Sequence, residues 1–125
     1  MSYFRSHELD KLADELVDRV LDESLGIREG IVMTEGPAPY RRLDCDGRAL
    51  LYIRSRPKKG AVRVDISGLW IPPTPSGLGV PTATGAAVLL RGIRDVRLAV
   101  ELIRESVIAT RALQRRMRDA VLAAA

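Results

Sequence analysis

Residues 48–67 read RALLYIRSRPKKGAVRVDIS, and this stretch decides the fold. Two runs rich in apolar and β-branched residues flank Pro57-Lys58-Lys59-Gly60, a turn-forming tetrapeptide. The reading is a β-hairpin with strands from Arg48 to Arg56 and from Ala61 to Trp70. Successive side chains of a strand point to opposite faces. Ala49, Leu51 and Ile53 therefore fall on one face, and Arg48, Tyr52, Arg54 and Arg56 on the other. In the second strand Val62, Val64 and Ile66 extend the apolar face, while Arg63, Asp65 and Ser67 extend the polar one. This is the pattern of an antiparallel sheet covered on one side only.

What covers it is predicted upstream and downstream. Leu9, Leu12, Ala13, Leu16, Val17, Val20 and Leu21 recur at helical spacing, which predicts a helix from an N-cap at Ser6 to Leu25. Glu8 lies in its first turn, where negative charge is favoured, and Gly26 follows its end. Asp14, Asp18 and Asp22 form a solvated acidic stripe on the outer face, and Glu15 with Arg19 makes a favourable i, i+4 pair. Between this helix and the hairpin, Gly30–Glu35 and Tyr40–Leu43 read as short strands. Gly36-Pro-Ala-Pro39 separates them, and Asp44-Cys45-Asp46-Gly47 reads as a turn.

Past the hairpin, residues 72–85 (PPTPSGLGVPTATG) hold four of the seven prolines and read as a long loop, a lid or a connector. Ala86–Leu90 is a last strand, and Asp95 is placed to cap a second helix that runs to the end of the sequence. Ala99, Leu102, Ile103, Ser106, Thr110, Leu113, Met117, Ala120 and Val121 lie on one seam of that helix. Arg97, Arg104, Arg111, Arg115 and Arg118 lie on the opposite side. Some 28 residues at ~1.5 Å each span about 42 Å. A compact chain of this length is only about 36 Å across. From about residue 110 the helix should therefore project, and its thin apolar seam is best buried against a second copy of the chain.

The expected fold is α+β: a single domain over residues 1–125 with an antiparallel sheet of three to five strands, an N-terminal helix and a long C-terminal helix. The 125 residues are 46% hydrophobic, enough for a packed core, but only 4% aromatic. There is no apolar run long enough to span a membrane and no apolar signal core, so the expectation is a cytoplasmic protein. One cysteine and one histidine exclude a disulfide framework and a Cys/His metal site. The formal charge of +4 hides a division: residues 1–50 carry 7 basic and 11 acidic side chains, and residues 51–125 carry 13 and 5.

No catalytic set emerges. His7 sits beside the terminus, Cys45 lies between two aspartates that disfavour a thiolate, and Asp44 and Asp46 are spaced as turn formers. No metal, cofactor or enzymatic activity is expected. The features left are those of a binding protein. Arg54, Arg56, Lys58, Lys59 and Arg63 form a basic hairpin able to follow a phosphate backbone, with Tyr52 as a stacking surface. Arg111, Arg115 and Arg118 add a basic helix face.

The order of hairpin, long loop, strand and helix, with Leu102-Ile103-Arg104-Glu105-Ser106 in that helix, resembles the small bacterial YjbR-like (double-wing) domains over roughly residues 48–108. Val107 stands where that group usually has an aromatic residue, and Trp70 falls earlier than its tryptophan. The resemblance implies an α+β layout, with DNA binding proposed for the group from its shape.

Two functions follow as expectations. The first is a non-enzymatic binding or adaptor protein, homodimeric through Ile103, Thr110, Leu113, Met117 and Val121, with another protein as its alternative partner. The second is a nucleic-acid-binding module using the basic hairpin and the arginine face of the last helix.

Overall fold

The structure, a computed structural model, describes residues 7–30, 40–70, 79–82 and 85–125. Helix α1 (His7–Asp22) is followed by strands β1 (Ile27–Glu29), β2 (Arg41–Cys45), β3 (Arg48–Arg56), β4 (Ala61–Ser67), β5 (Gly79–Thr82) and β6 (Gly85–Leu90), and then by helix α2 (Ile93–Ala124). The strands form one antiparallel sheet in the order β1-β2-β3-β4-β6-β5. The α+β arrangement is the expected one: an N-terminal helix, an antiparallel sheet built on the 48–67 hairpin and a long C-terminal helix.

The register explains the two faces. Leu43, Leu51, Ile66 and Ala86 line up across four strands, as do Ile53, Val64 and Val88 across three. All of these are buried, and all but Ala86 form one core with Leu16, Val17 and Val20 of α1 and Val96, Ala99, Ile103 and Val107 of α2. Each fully buried aliphatic side chain contributes about 1.5–3 kcal/mol of transfer free energy, so this face holds the fold together. The opposite rows are polar: Arg42, Tyr52 and Asp65 in one, Arg54 and Arg63 in the next.

Several local expectations are corrected. α1 ends at Asp22 instead of Leu25, because the chain turns at Ser24, whose φ is +57°, and again at Gly26 (φ +75°), on its way into β1. The expected N-cap Ser6 lies outside the described residues, as does most of the expected strand 30–35. The strand found nearby is Ile27–Glu29. Asp44 and Cys45 belong to β2, and the turn is only Asp46-Gly47, with φ of +54° and +75°. Positive φ at both central residues fits a two-residue hairpin turn, where Asp-Gly is favoured.

In β3 the residue that enters the core is Leu50 rather than Ala49. Leu43 pairs with Leu51 but Asp44 pairs with Ala49, so Leu50 is an extra residue opposite β2, a bulge that puts Leu50 and Leu51 both at 0% exposure. β4 ends at Ser67. The Trp70 N–H then donates to the Ser67 carbonyl (3.0 Å), and its buried indole donates to the Ala49 carbonyl (3.1 Å). Part of the expected 72–85 loop is strand: residues 79–82 pair with β6 at the sheet edge. An edge position tolerates Pro81 because its missing N–H is not needed by a further strand. With β1 and β5, six strands are present among the described residues.

Helix α2 starts at Ile93 after Gly92, not at a cap on Asp95. Asp95 instead accepts from the Arg91 backbone N–H at 2.8 Å from inside the first turn. Its 32 residues extend about 48 Å at 1.5 Å each, and every residue from Gln114 to Ala125 is exposed. The helix projects, as the length argument requires.

Candidate functional site

The expected basic side chains separate into two groups at opposite ends of β3. Its nine residues place about 27–30 Å between the Asp46-Gly47 turn and the β3–β4 tip. Lys58 and Lys59 are exposed at that tip in a short 3-10 turn. Arg54, Arg56 and Arg63 lie on the outer sheet face next to the tip. Arg111, Arg115 and Arg118 belong to the other end, where α2 leaves the body.

Arg111 is fixed by neighbours from two distant parts of the chain. Its guanidinium donates to both Asp46 carboxylate oxygens (3.0 and 3.1 Å), to the Leu25 carbonyl (2.6 Å) and to the Cys45 Sγ (3.3 Å). The contact ties α2 to the end of the α1–β1 link and to the β2–β3 turn. It holds the Asp46 carboxyl below the usual carboxylate range, mainly through the hydrogen bond. Burial pushes the Cys45 thiol up, against the opposing charge of Arg111 and with the help of Asp46. A buried thiol of this kind is a poor nucleophile. Arg111 is thus structural, a role no short-range sequence pattern could reveal because Asp46 lies 65 positions away. Arg115 and Arg118 are exposed on the projecting helix.

Of the expected interface residues, Ile103 and Thr110 are buried within the protomer, at 1% and 3% exposure. Neither belongs to a surface open to a second copy. Leu113 is half-buried, and Met117 and Val121 are exposed.

The outer sheet face carries the second group. Tyr52, Arg54, Arg56, Arg63 and Asp65 line an open basin of about 350 Å³. No helix covers this face among the described residues, because α1 and α2 both pack on the other one. Two of its cations are already matched. Arg42 donates to Asp44 at 2.6 Å, and Arg63 donates to both oxygens of Asp65 at 3.0 and 3.2 Å. Gly30 lies so close that a Cβ there would stand 2.5 Å from an Asp44 oxygen, and its N–H donates to the Arg42 carbonyl at 2.9 Å.

Arg54 differs. It lies directly across from Arg63 in the β3–β4 register, and its Nε is enclosed without an acceptor. Tyr40 packs edge-on against Tyr52, with ring centroids 5.5 Å apart. Tyr40 is the member of this face that sequence reading passed over, since it sits before β2 and meets Tyr52 only through the sheet. The basin thus combines three guanidiniums, one carboxylate and an aromatic surface. Its lining carries a net positive charge, and among the described residues it has no nucleophile with a base in reach.

His7 is exposed at the start of α1. Among the described residues no group of three or more His, Cys, Asp or Glu side chains could hold a metal ion, and no helix is long and apolar enough to cross a membrane. Comparison with protein-family models, curated proteins and solved structures finds no match to this chain.

Proposed function

We propose that this is a non-enzymatic binding protein that acts as a homodimer through the projecting end of α2. The observation that carries the reading is the uninterrupted exposure of residues 114–125, with Met117 and Val121 at 59% and 70%. Leu113, Met117 and Val121 recur every fourth position and make one narrow stripe on this segment. Most helical stability in proteins comes from packing an apolar face, and within the described protomer this stripe packs on nothing beyond Leu113. The stripe is smaller than the ~800 Å² per partner of a standard interface, so the dimer is weak and forms in a concentration-dependent way.

Light scattering coupled to gel filtration, run across a concentration series, is the test. A mass that rises toward two chains, and stays at one chain in the double variant Met117→Lys, Val121→Lys, supports the reading. A single-chain mass up to high micromolar concentration overturns it.

A second reading, a nucleic-acid-binding module, is favoured by the exposed Lys58 and Lys59 at the tip, next to Arg54, Arg56 and Arg63. Binding of a single-stranded oligonucleotide should weaken with salt, and Lys58→Glu with Lys59→Glu should flatten that dependence by roughly 0.7 in log–log slope for each phosphate no longer neutralised. No binding at low salt ends this reading.

A further inference from the structure

We infer that the basin on the open sheet face is a nucleotide site, built to hold the phosphate of one nucleoside monophosphate on Arg54 and Arg56 with its base against Tyr52. The inference does not need the dimer. It takes from the nucleic-acid reading only the charge of the hairpin, and it goes beyond that reading in fixing the ligand's size and the residues that hold it.

The charge balance points to an anion. Of the three arginines lining the basin, Arg63 is occupied by Asp65, which leaves two guanidiniums and no second carboxylate among the lining residues. Arg54 is held against a like charge in register and has an enclosed Nε with no acceptor. Both features are unfavourable in the unliganded chain. A phosphate accepting from the terminal nitrogens of Arg54 relieves the first by screening Arg54 from Arg63, while the enclosed Nε stays out of its reach and is held by the fold.

The aromatic placement points to a nucleotide rather than to a bare anion. Tyr52 and Arg54 share one face of β3 two residues apart, about 7 Å along the strand. That is the scale separating a base from its own phosphate. Tyr40 braces the Tyr52 ring edge-on, which leaves a held aromatic surface on which a base can stack.

Two observations favour one nucleotide over a strand. The basin, about 350 Å³, is at the small end of ligand sites. The cationic row also stops: Arg54 and Arg63 are followed across the sheet by Leu89, and Tyr52 and Asp65 by Ala87. A polynucleotide backbone would find an acid and then apolar residues in its path.

The test is a titration of the full chain at low ionic strength with adenosine monophosphate, inorganic phosphate and an unphosphorylated single-stranded oligonucleotide, followed by backbone amide shifts. Adenosine monophosphate should move the amides of residues 52–56 and 63–65 and bind more tightly than inorganic phosphate. Arg54→Gln and Arg56→Gln should each weaken it about tenfold or more. Tyr52→Leu should erase the preference over inorganic phosphate. Lys58→Glu with Lys59→Glu should weaken monophosphate binding at low ionic strength, and this loss, unlike that of the arginine variants, should shrink when salt is raised to about 0.15 M, where the Debye length falls to about 8 Å.

If the oligonucleotide binds through Lys58 and Lys59 while adenosine monophosphate does not bind, the site is wrong and the nucleic-acid reading survives. If neither ligand binds, both fall. Binding of adenosine monophosphate that is indifferent to Arg54→Gln also overturns the inference. Circular dichroism of each variant confirms that a loss of binding is not a loss of fold.

Discussion

Arg111 and Arg54 are the same residue in opposite circumstances. Arg111 meets two carboxylate oxygens, a carbonyl and a sulfur, drawn from two separate stretches of chain. Arg54 stands opposite another arginine with an enclosed donor and no acceptor. Arg111, bonded through Nε and Nη2, ties elements of the protein together, whereas no partner in the fold meets the enclosed Nε of Arg54. The difference matters because the sequence contains 17 arginines, and composition alone cannot sort them.

The largest effect that can break this comparison is on the first arginine. Arg111→Met keeps much of the side-chain volume and removes every polar contact. Hydrogen bonds between a charged and a neutral group are worth about 1.5–3 kcal/mol. Discounted for the partly exposed Asp46 pair, the expected loss is about 2 kcal/mol, read by urea unfolding. The variant should also change the acid limb. Because Arg111 lowers the folded-state pKa of Asp46, the unfolded chain takes up that proton first as pH falls. The stabilisation is complete above the unfolded value, near 4, and is lost as pH drops through the folded value. Arg111→Met should therefore lose stability less steeply below about pH 4 than the parent chain does. Equal acid slopes would mean that the Asp46 contact contributes nothing.

A smaller effect is expected at the border between the two circumstances. Gly30→Ala places a methyl group 2.5 Å from an Asp44 oxygen, so the carboxylate must swing away from Arg42. Loss of this half-exposed pair and the local crowding should cost about 1 kcal/mol. Combining it with Asp44→Ala should relieve the crowding, making the double variant less unstable than the sum of the two single ones. Additive effects would show that Asp44 does not constrain residue 30. Gly30→Ala also releases Arg42, which turns a matched cation on the open face into an unmatched one.

Much of the architecture could be read from short-range pattern. The hairpin, its two faces, the last strand and the projecting helix all follow from period 2 and period 3.6, which need only neighbours in sequence. What could not be read depends on partners far away. Leu50 enters the core because β2 and β3 slip past each other by one residue, and nothing in the local alternation records that slip. Residues 79–82 look like loop because Pro and Gly disfavour strands. The edge of the sheet accepts them since only one side must pair. The site divides the same way. Arg54, Arg56, Arg63 and Tyr52 share a face by alternation alone, whereas the capture of Arg111 by Asp46 and the pairing of Tyr40 with Tyr52 exist only once the sheet and α2 are assembled.

The smallest effect is the most informative about the comparison. Arg54→Gln removes a charge that faces Arg63 and an Nε that has no acceptor, so the folded chain gives up no favourable interaction seen among the described residues. The glutamine stem keeps part of the cover over the sheet. Relief of like-charge repulsion across a strand pair is worth a few tenths of a kcal/mol. The expected outcome is a midpoint unchanged or slightly raised, within about 0.5 kcal/mol, against the loss of about 2 kcal/mol for Arg111→Met. The sign decides between the two roles. A loss above about 1 kcal/mol would place Arg54 with Arg111 as a brace of the fold, since only a contact that stabilises the folded state can be missed when it is removed. A neutral or stabilising result means that the folded protein carries Arg54 at no benefit to its own stability. That is the outcome the proposed nucleotide site requires of Arg54.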